Sequence, residues 1–277
     1  MHAKDLAITV LADNRAAYGL EAEHGLSFWL ETPGHKLLFD TGRGEAMLRN
    51  AETLGIDIGA ADSVVLSHGH YDHTGNVGPA LERAQHARLF FHPDALLPRF
   101  SIHEAPKPIG MPESSRAAVC ALPRERLCEV TAPLSLAACM GLTGPVPRAA
   151  AHEDTGGPFF LDAEGQVPDR LLDDLSFWVR TGAGLVVCLG CCHAGLINTL
   201  RHVREVSGEP KILAVVGGLH LLHADEARLA QTARELEAAS ISFLYPCHCT
   251  GDGAVAYLSQ SLRASVQPGY AGMKICF

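Results

Sequence analysis

The 277-residue sequence predicts an α/β fold, and three observations carry that reading. From Ser176 onward the chain reads as successive strand–helix units, each a short apolar run followed by an amphipathic stretch. Near the N-terminus, two strand-like runs are joined around Pro33-Gly34, a hairpin signal. Between them, the buried-strand pattern Val64-Val65-Leu66 ends abruptly in the polar cluster Ser67-His68-Gly69-His70-Tyr71-Asp72-His73.

Taken in order, Leu6 to Ala12 predicts a first strand, ended by Asp13-Asn14. Ser27 to Glu31 and Lys36 to Asp40 are the two strands of the hairpin, and Asp40-Thr41-Gly42 closes the second at a turn. Glu45 to Leu54 reads as a helix with Gly55 at its C-terminal cap. Pro79 to Gln85 reads as helix and Ala87 to His92 as strand. The stretch from about 93 to 168 holds eleven of the sixteen prolines and lacks periodic runs. It reads as a loop-rich insertion within a single domain spanning 1–277, with a helix over Glu113 to Cys120 and a short strand at Glu129-Val130-Thr131. Long loops in compact domains line pockets, so the insertion is expected near the active site. Strands then follow at Leu185 to Leu189, Lys211 to Val216 and Ile241 to Tyr245, with helices to about Val206, from Asp225 to Ala239 and from Gly253 to Leu262. These three strands end in His193, His220 and His248, at the strand ends where α/β sheets collect ligands.

Composition narrows the function classes. A net charge of −9 argues against a nucleic-acid surface, which needs basic patches to neutralise phosphates. No apolar run approaches the ~20 residues of a membrane helix, and no signal-peptide pattern opens the chain, so a cytoplasmic protein with a small-molecule substrate is expected. The nine cysteines lack disulfide-framework spacing and fit a reducing compartment. Cys120, Cys128, Cys139, Cys188 and Cys276 read as small buried hydrophobes, whereas Cys191, Cys192, Cys247 and Cys249 each flank a histidine. Cys247 and Cys249 should point away from His248 in an extended chain, as core thiols.

The histidine cluster carries the chemistry. Buried imidazoles and carboxylates need partners. In an extended chain His68, His70 and Asp72 share one side, as ligands of one metal must, while His73 points elsewhere toward a second ion. Imidazole nitrogen with carboxylate oxygen suits zinc, with manganese and iron as alternatives, better than calcium or magnesium.

Ser67-His68-Gly69-His70-Tyr71-Asp72-His73 after a short apolar strand resembles the His-x-His-x-Asp-His signature of the metallo-β-lactamase superfamily. Phe39-Asp40-Thr41-Gly42 resembles its first motif and Pro246-x-His248 its last. Glu23-His24-Gly25-Leu26-Ser27, Gly190-Cys191-Cys192-His193-Ala194-Gly195, Gly217-Gly218-Leu219-His220-Leu221 and His248-Cys249-Thr250-Gly251 resemble the group of β-lactamase-superfamily-II metal-dependent hydrolases. That group includes dihydropterin/ribofuranosyl-aminobenzene-phosphate synthases. The resemblance implies an αββα four-layer sandwich with two divalent metal ions, His68 and His70 on the first, Asp72, His73 and His248 on the second, and Asp40 orienting a ligand. The usual Pro-Gly-His-Thr element has no clear counterpart, with His92 and His152 as substitutes by position only. The usual Gly-Asp aligns with Gly190-Cys191, where the cysteine, or His193 two residues on, is the expected ligand. His220 either joins a metal or acts on substrate.

The implied activity is hydrolysis of an ester, lactone or phosphodiester, with Asp72 and His220 as catalytic residues. A transferase of the synthase type, using the same metals, is the alternative. No Gly-x-Ser-x-Gly elbow or P-loop supports a serine hydrolase or NTPase.

Overall fold

In a computed structural model describing residues 2–3 and 5–277, these segments fold into two compact units. The first is built from Asp5–Thr131, Gly157–Asp173 and Tyr270–Phe277; the second from Ala132–Gly156 and Asp174–Gly269 with residues 2–3. The first unit begins with β1 (Ala7–Ala12), β2 (Ser27–Thr32), β3 (His35–Phe39), α1 (Ala46–Thr53) and β4 (Ser63–Val65). It continues with α2 (Tyr71–Thr74), α3 (Val77–Arg83), β5 (Arg88–Phe91), β6 (Phe100–Ile102), β7 (Pro106–Pro108), α4 (Glu113–Ala121) and β8 (Leu127–Glu129). The second unit takes β9 (Leu134–Ala137) and β10 (Met140–Leu142), and the first regains the chain for β11 (Phe159–Phe160). The second then runs through β12 (Ser176–Thr181), β13 (Gly184–Leu189), α5 (Leu196–Ser207), β14 (Ile212–Gly218), α6 (Glu226–Ala239), β15 (Phe243–Cys247), α7 (Asp252–Ser261) and β16 (Ser265–Val266). β17 (Lys274–Cys276) closes the first unit.

Among the described residues, the main sheet of the first unit has the order β17-β1-β2-β3-β4-β5-β8. Its β17-β1-β2-β3 half is antiparallel and its β3-β4-β5-β8 half parallel. The hairpin predicted around Pro33-Gly34 forms, with Phe28 opposite Phe39 and Thr32 opposite His35. Under the sheet, α1 buries Ala46, Met47, Asn50 and Ala51, one stripe at helical spacing, into a core with Leu11, Trp29, Leu38, Val64 and Leu66. A small sheet β11-β6-β7 completes the unit.

The second unit's sheet, β16-β15-β14-β13-β12-β10-β9, is parallel from β16 to β13 and antiparallel from β13 to β9. Every residue of β13 is buried, which is why Leu185 to Leu189 is a continuous apolar run without alternation. The amphipathic α5 ends at Gly208, whose φ of 68° is the left-handed cap conformation that glycine adopts without steric cost. Leu196, Ile197, Leu200 and Val203 from α5 pack with Leu236 from α6 and Leu258 from α7. No helix among the described residues is long and apolar enough to cross a membrane.

Two expectations need amendment here. The proline-rich stretch is more than an insertion: β8 extends the first unit's main sheet, and β9 and β10 form an edge hairpin of the second's. These strands are three or four residues long, too short to carry a readable alternation. Of the five cysteines expected as buried hydrophobes, Cys188 is buried, Cys128 and Cys139 are half-buried, and Cys120 and Cys276 are exposed. Cys276 sits on the outward side of edge strand β17, where only Ile275 points inward.

Candidate metal centre

Five strands with parallel partners deliver the predicted ligands, and the orienting Asp40, at their C-terminal ends. In the first unit β3 leads to Asp40 and β4 to His68 and His70; in the second β13 leads to Cys191 and His193, β14 to His220 and β15 to His248. Asp40, His220 and His248 have φ values of 59°, 48° and 49°, and Cys192 has 61°. Non-glycine residues pay strain to enter the left-handed region, and such residues gather at functional sites.

In the first unit, Asp40 is fully buried and organises the cluster. Its Oδ1 accepts from the Ser67 backbone N–H at 2.7 Å, and its Oδ2 accepts from the Ser67 hydroxyl and from His73 Nδ1, each at 2.7 Å. The Ser67 hydroxyl has one proton, given to Asp40, so it accepts from His68 Nδ1 at 2.9 Å. One carboxylate thereby holds the proton of two imidazoles on Nδ1 and assigns the ligand role to Nε2, the usual support of a metal-binding histidine. The His68 ring lies 4.5 Å from that of His70 and 4.3 Å from that of His73.

That geometry corrects the expected alternation. The chain is extended only as far as His70 (φ −72°, ψ 147°), and α2 then turns His73 back toward His68. Asp72 therefore does not continue an alternating face. Its Oδ2 lies 3.1 Å from Nε2 of His24, a partner that sequence spacing gave no means of identifying. The only sequence signal was the Glu23-His24-Gly25 motif. Gly25 is required there because a Cβ would lie 2.6 Å from the Asp72 carbonyl oxygen.

In the second unit, the ligand atoms of Cys191, His193 and His220 lie within 4.8 Å of one another, as do those of Cys191, His248 and Cys249. His193 Nδ1 donates to the Thr155 carbonyl at 2.8 Å, again assigning Nε2 to any metal. His220 Nε2 is 3.2 Å from the Gly156 carbonyl, and the two rings are 4.3 Å apart. Burial pushes the Cys249 thiol up, but hydrogen bonds with Cys191 and His220 and the charges of His220 and His248 outweigh it and hold the thiol well below its ordinary value. Burial pulls His220 down, yet its hydrogen bond and attraction to Cys249 raise it above the ordinary imidazole range. Cys249 is buried, as expected, but its ligand atom lies within 4.8 Å of those of Cys191 and His248 and does not point away from His248 as alternation predicts. Burial drives the Cys192 thiol well above the ordinary range, and Cys192 packs in the core beside Thr199.

His92 and His152, the positional substitutes for a third histidine, join no converging ligand group among the described residues. His92 Nδ1 accepts from the Asp94 N–H, capping a short turn. His152 lines a 630 Å³ cavity beside α6 with Asp154, His223 and Arg228. The proline-rich stretch does reach the ligands of each unit: Ile109 accepts from Tyr71 N–H and Phe159 lies 5.3 Å from the His70 ring in the first, and Thr155 and Gly156 hold His193 and His220 in the second.

Imidazole nitrogen with Asp72 in one set, and imidazole nitrogen with thiolate sulfur in the other, fit a divalent ion of the zinc type. The metallo-beta-lactamase superfamily model matches residues 20–108. The chain is 27% identical to the 7,8-dihydropterin-6-methyl-4-(beta-D-ribofuranosyl)-aminobenzene-5'-phosphate synthase of Methanocaldococcus jannaschii, over 99% of this chain and 97% of that one. It resembles the crystal structure of Tm1679, a metal-dependent hydrolase of the beta-lactamase superfamily, with a TM-score of 0.81, 29% identity and 98% of each chain covered. The fold also matches that of YhfI from Bacillus subtilis, at a TM-score of 0.61, 14% identity and 99% of each chain. The signature after β4 and the histidines at the later strand ends accord with these likenesses: residues 20–108 match the metallo-β-lactamase superfamily, and the chain has the α/β fold of the metallo-β-lactamase-fold proteins it resembles.

Proposed function

We propose that the chain is a metal-dependent hydrolase that binds two divalent ions, zinc foremost, with His68, His70, Asp72 and His73 as ligands in the first unit and Cys191, His193 and His248 as ligands in the second. The observation that best supports this is the engagement of Nδ1 on His68, His73 and His193 by a hydroxyl, a carboxylate and a carbonyl, which commits Nε2 to a ligand role. Two such ions, when bound, supply hydroxide at neutral pH by lowering the pKa of water from about 15.7 to about 7 and polarise the bond under attack. Asp72, steadied by His24, would hold one ion and orient the attacking water. His220, its ring fixed by the Gly156 carbonyl, gives a proton to the leaving group.

The substrate is a small molecule, and two cations favour an anionic one. Arg43 and Lys107 both lie over the Tyr71 ring, at 5.5 and 5.6 Å, beside His70 and Asp72. Among ester, lactone and phosphodiester, this favours the phosphodiester. A synthase reading is favoured by one different observation, the similarity to the archaeal synthase over 99% of the chain. Turnover of the zinc-loaded protein in ¹⁸O-water separates the two. Hydrolysis places one ¹⁸O in the product of a phosphodiester, ester or lactone. Condensation of a dihydropterin with a phosphorylated ribofuranosyl-aminobenzene, and no label from any hydrolytic substrate, would replace the hydrolase reading with the synthase one.

A further inference from the structure

The superfamily's last motif supplies one ligand, His248, yet here the next residue brings sulfur to the same place. Alternation would put Cys247 and Cys249 together on the side away from His248. The two part company instead. Cys247 Sγ turns to the Tyr245 carbonyl at 3.4 Å and packs on Gly269, where a Cβ would lie 2.3 Å from the sulfur. At His248 the backbone enters the left-handed region, and residues His248–Thr250 form a tight turn. Thr250 pins that turn, its hydroxyl donating to the Cys247 carbonyl at 2.8 Å and accepting from Leu219 N–H at 3.1 Å. The strained turn swings Cys249 round, so that its sulfur, the Cys191 sulfur and an imidazole nitrogen of His248 all fall within 4.8 Å of one another.

Space for this grouping is provided by Gly218 on β14. A Cβ there would lie 2.6 Å from Cys249 Sγ and 3.3 Å from the Cys191 Cα. Sulfurs brought together beside a histidine, in a buried pocket cleared by a glycine, make a soft donor set. From this geometry we propose that Cys249 is a metal ligand alongside Cys191 and His248. The centre is then thiolate-rich and selects zinc over manganese and magnesium. This rests on the reading of the chain as a metal enzyme and adds a ligand and a metal preference to it.

Cobalt(II) loaded in place of zinc reports thiolate ligands directly, through the near-ultraviolet sulfur-to-cobalt charge-transfer band. The wild-type protein should show the band, and Cys249→Ser and Cys191→Ser should each lose about half of its intensity, one of two thiolates. Cys247→Ser should leave it unchanged. If Cys249→Ser binds cobalt with the wild-type spectrum, the assignment of Cys249 falls while the metal centre stands; if the wild-type protein binds no cobalt or zinc, the metal reading falls with it. X-ray absorption on the zinc-loaded wild-type protein needs no variant. The proposal expects two sulfurs at about 2.3 Å on one zinc, and a single sulfur would overturn it.

Discussion

At the scale of single residues, the proton positions on imidazoles decide what the first unit can bind. A neutral imidazole has one donor and one acceptor nitrogen, and a metal needs the acceptor. Asp40 fixes this choice for His73 directly and for His68 through Ser67. Asp40→Asn preserves the volume but offers only one acceptor oxygen in place of a carboxylate, so both imidazoles lose their fixed orientation. Metal affinity, measured by competition with a chelator, should fall about 10–100-fold with the folded circular dichroism spectrum retained. Unchanged affinity would show that the tautomers are set by other groups. The role of Asp40 was legible because its motif is a close sequence match. The pairing of His24 with Asp72, and the turn that brings Cys249 beside Cys191, were not: both depend on backbone paths between residues far apart in sequence or on a left-handed φ, which residue spacing does not encode.

The turn that carries His68 and His70 is held from below by an element-scale device. Arg99 is 1% exposed; its guanidinium is bidentate to Asp173, at 2.7 and 2.6 Å, and its Nε donates to Asp169 at 2.7 Å. Asp173 in turn accepts from the Gly69 N–H at 2.8 Å, and a Cβ on Gly69 would lie 2.4 Å from Arg99 Nη1. The ion pair therefore fixes the backbone between two ligands. Arg99→Met leaves Asp173 and Asp169 buried without their counter-charge and should cost about 3–5 kcal/mol in denaturant unfolding, as one partner of a buried pair does. A change below about 0.5 kcal/mol, the scale of surface substitutions, would show that the carboxylates find other partners. None of this was readable beforehand. Arg99 lies in the proline-rich stretch, its partners come about seventy residues later, and a buried charge looks in sequence like a surface one. The long, strongly periodic elements were legible for the opposite reason. In α5, α6, β13 and β14 burial itself imposes the residue pattern, while β9 and β10 are too short to show one.

At the scale of the whole molecule, each unit has a sheet that is half antiparallel and half parallel, and the ligands follow the parallel strands. This placement is general to α/β folds, where loops at the carboxyl ends of strands are free to carry chemistry while the strands stay buried. It explains why strand-end histidines were such a strong sequence signal. The central claim is that the residues of both sets are metal ligands. Anomalous diffraction from crystals of the zinc-loaded protein tests it most directly. The account predicts two zinc peaks, with residues of both sets among their ligands. A single peak, or zinc that touches no residue of one of the sets, would contradict it.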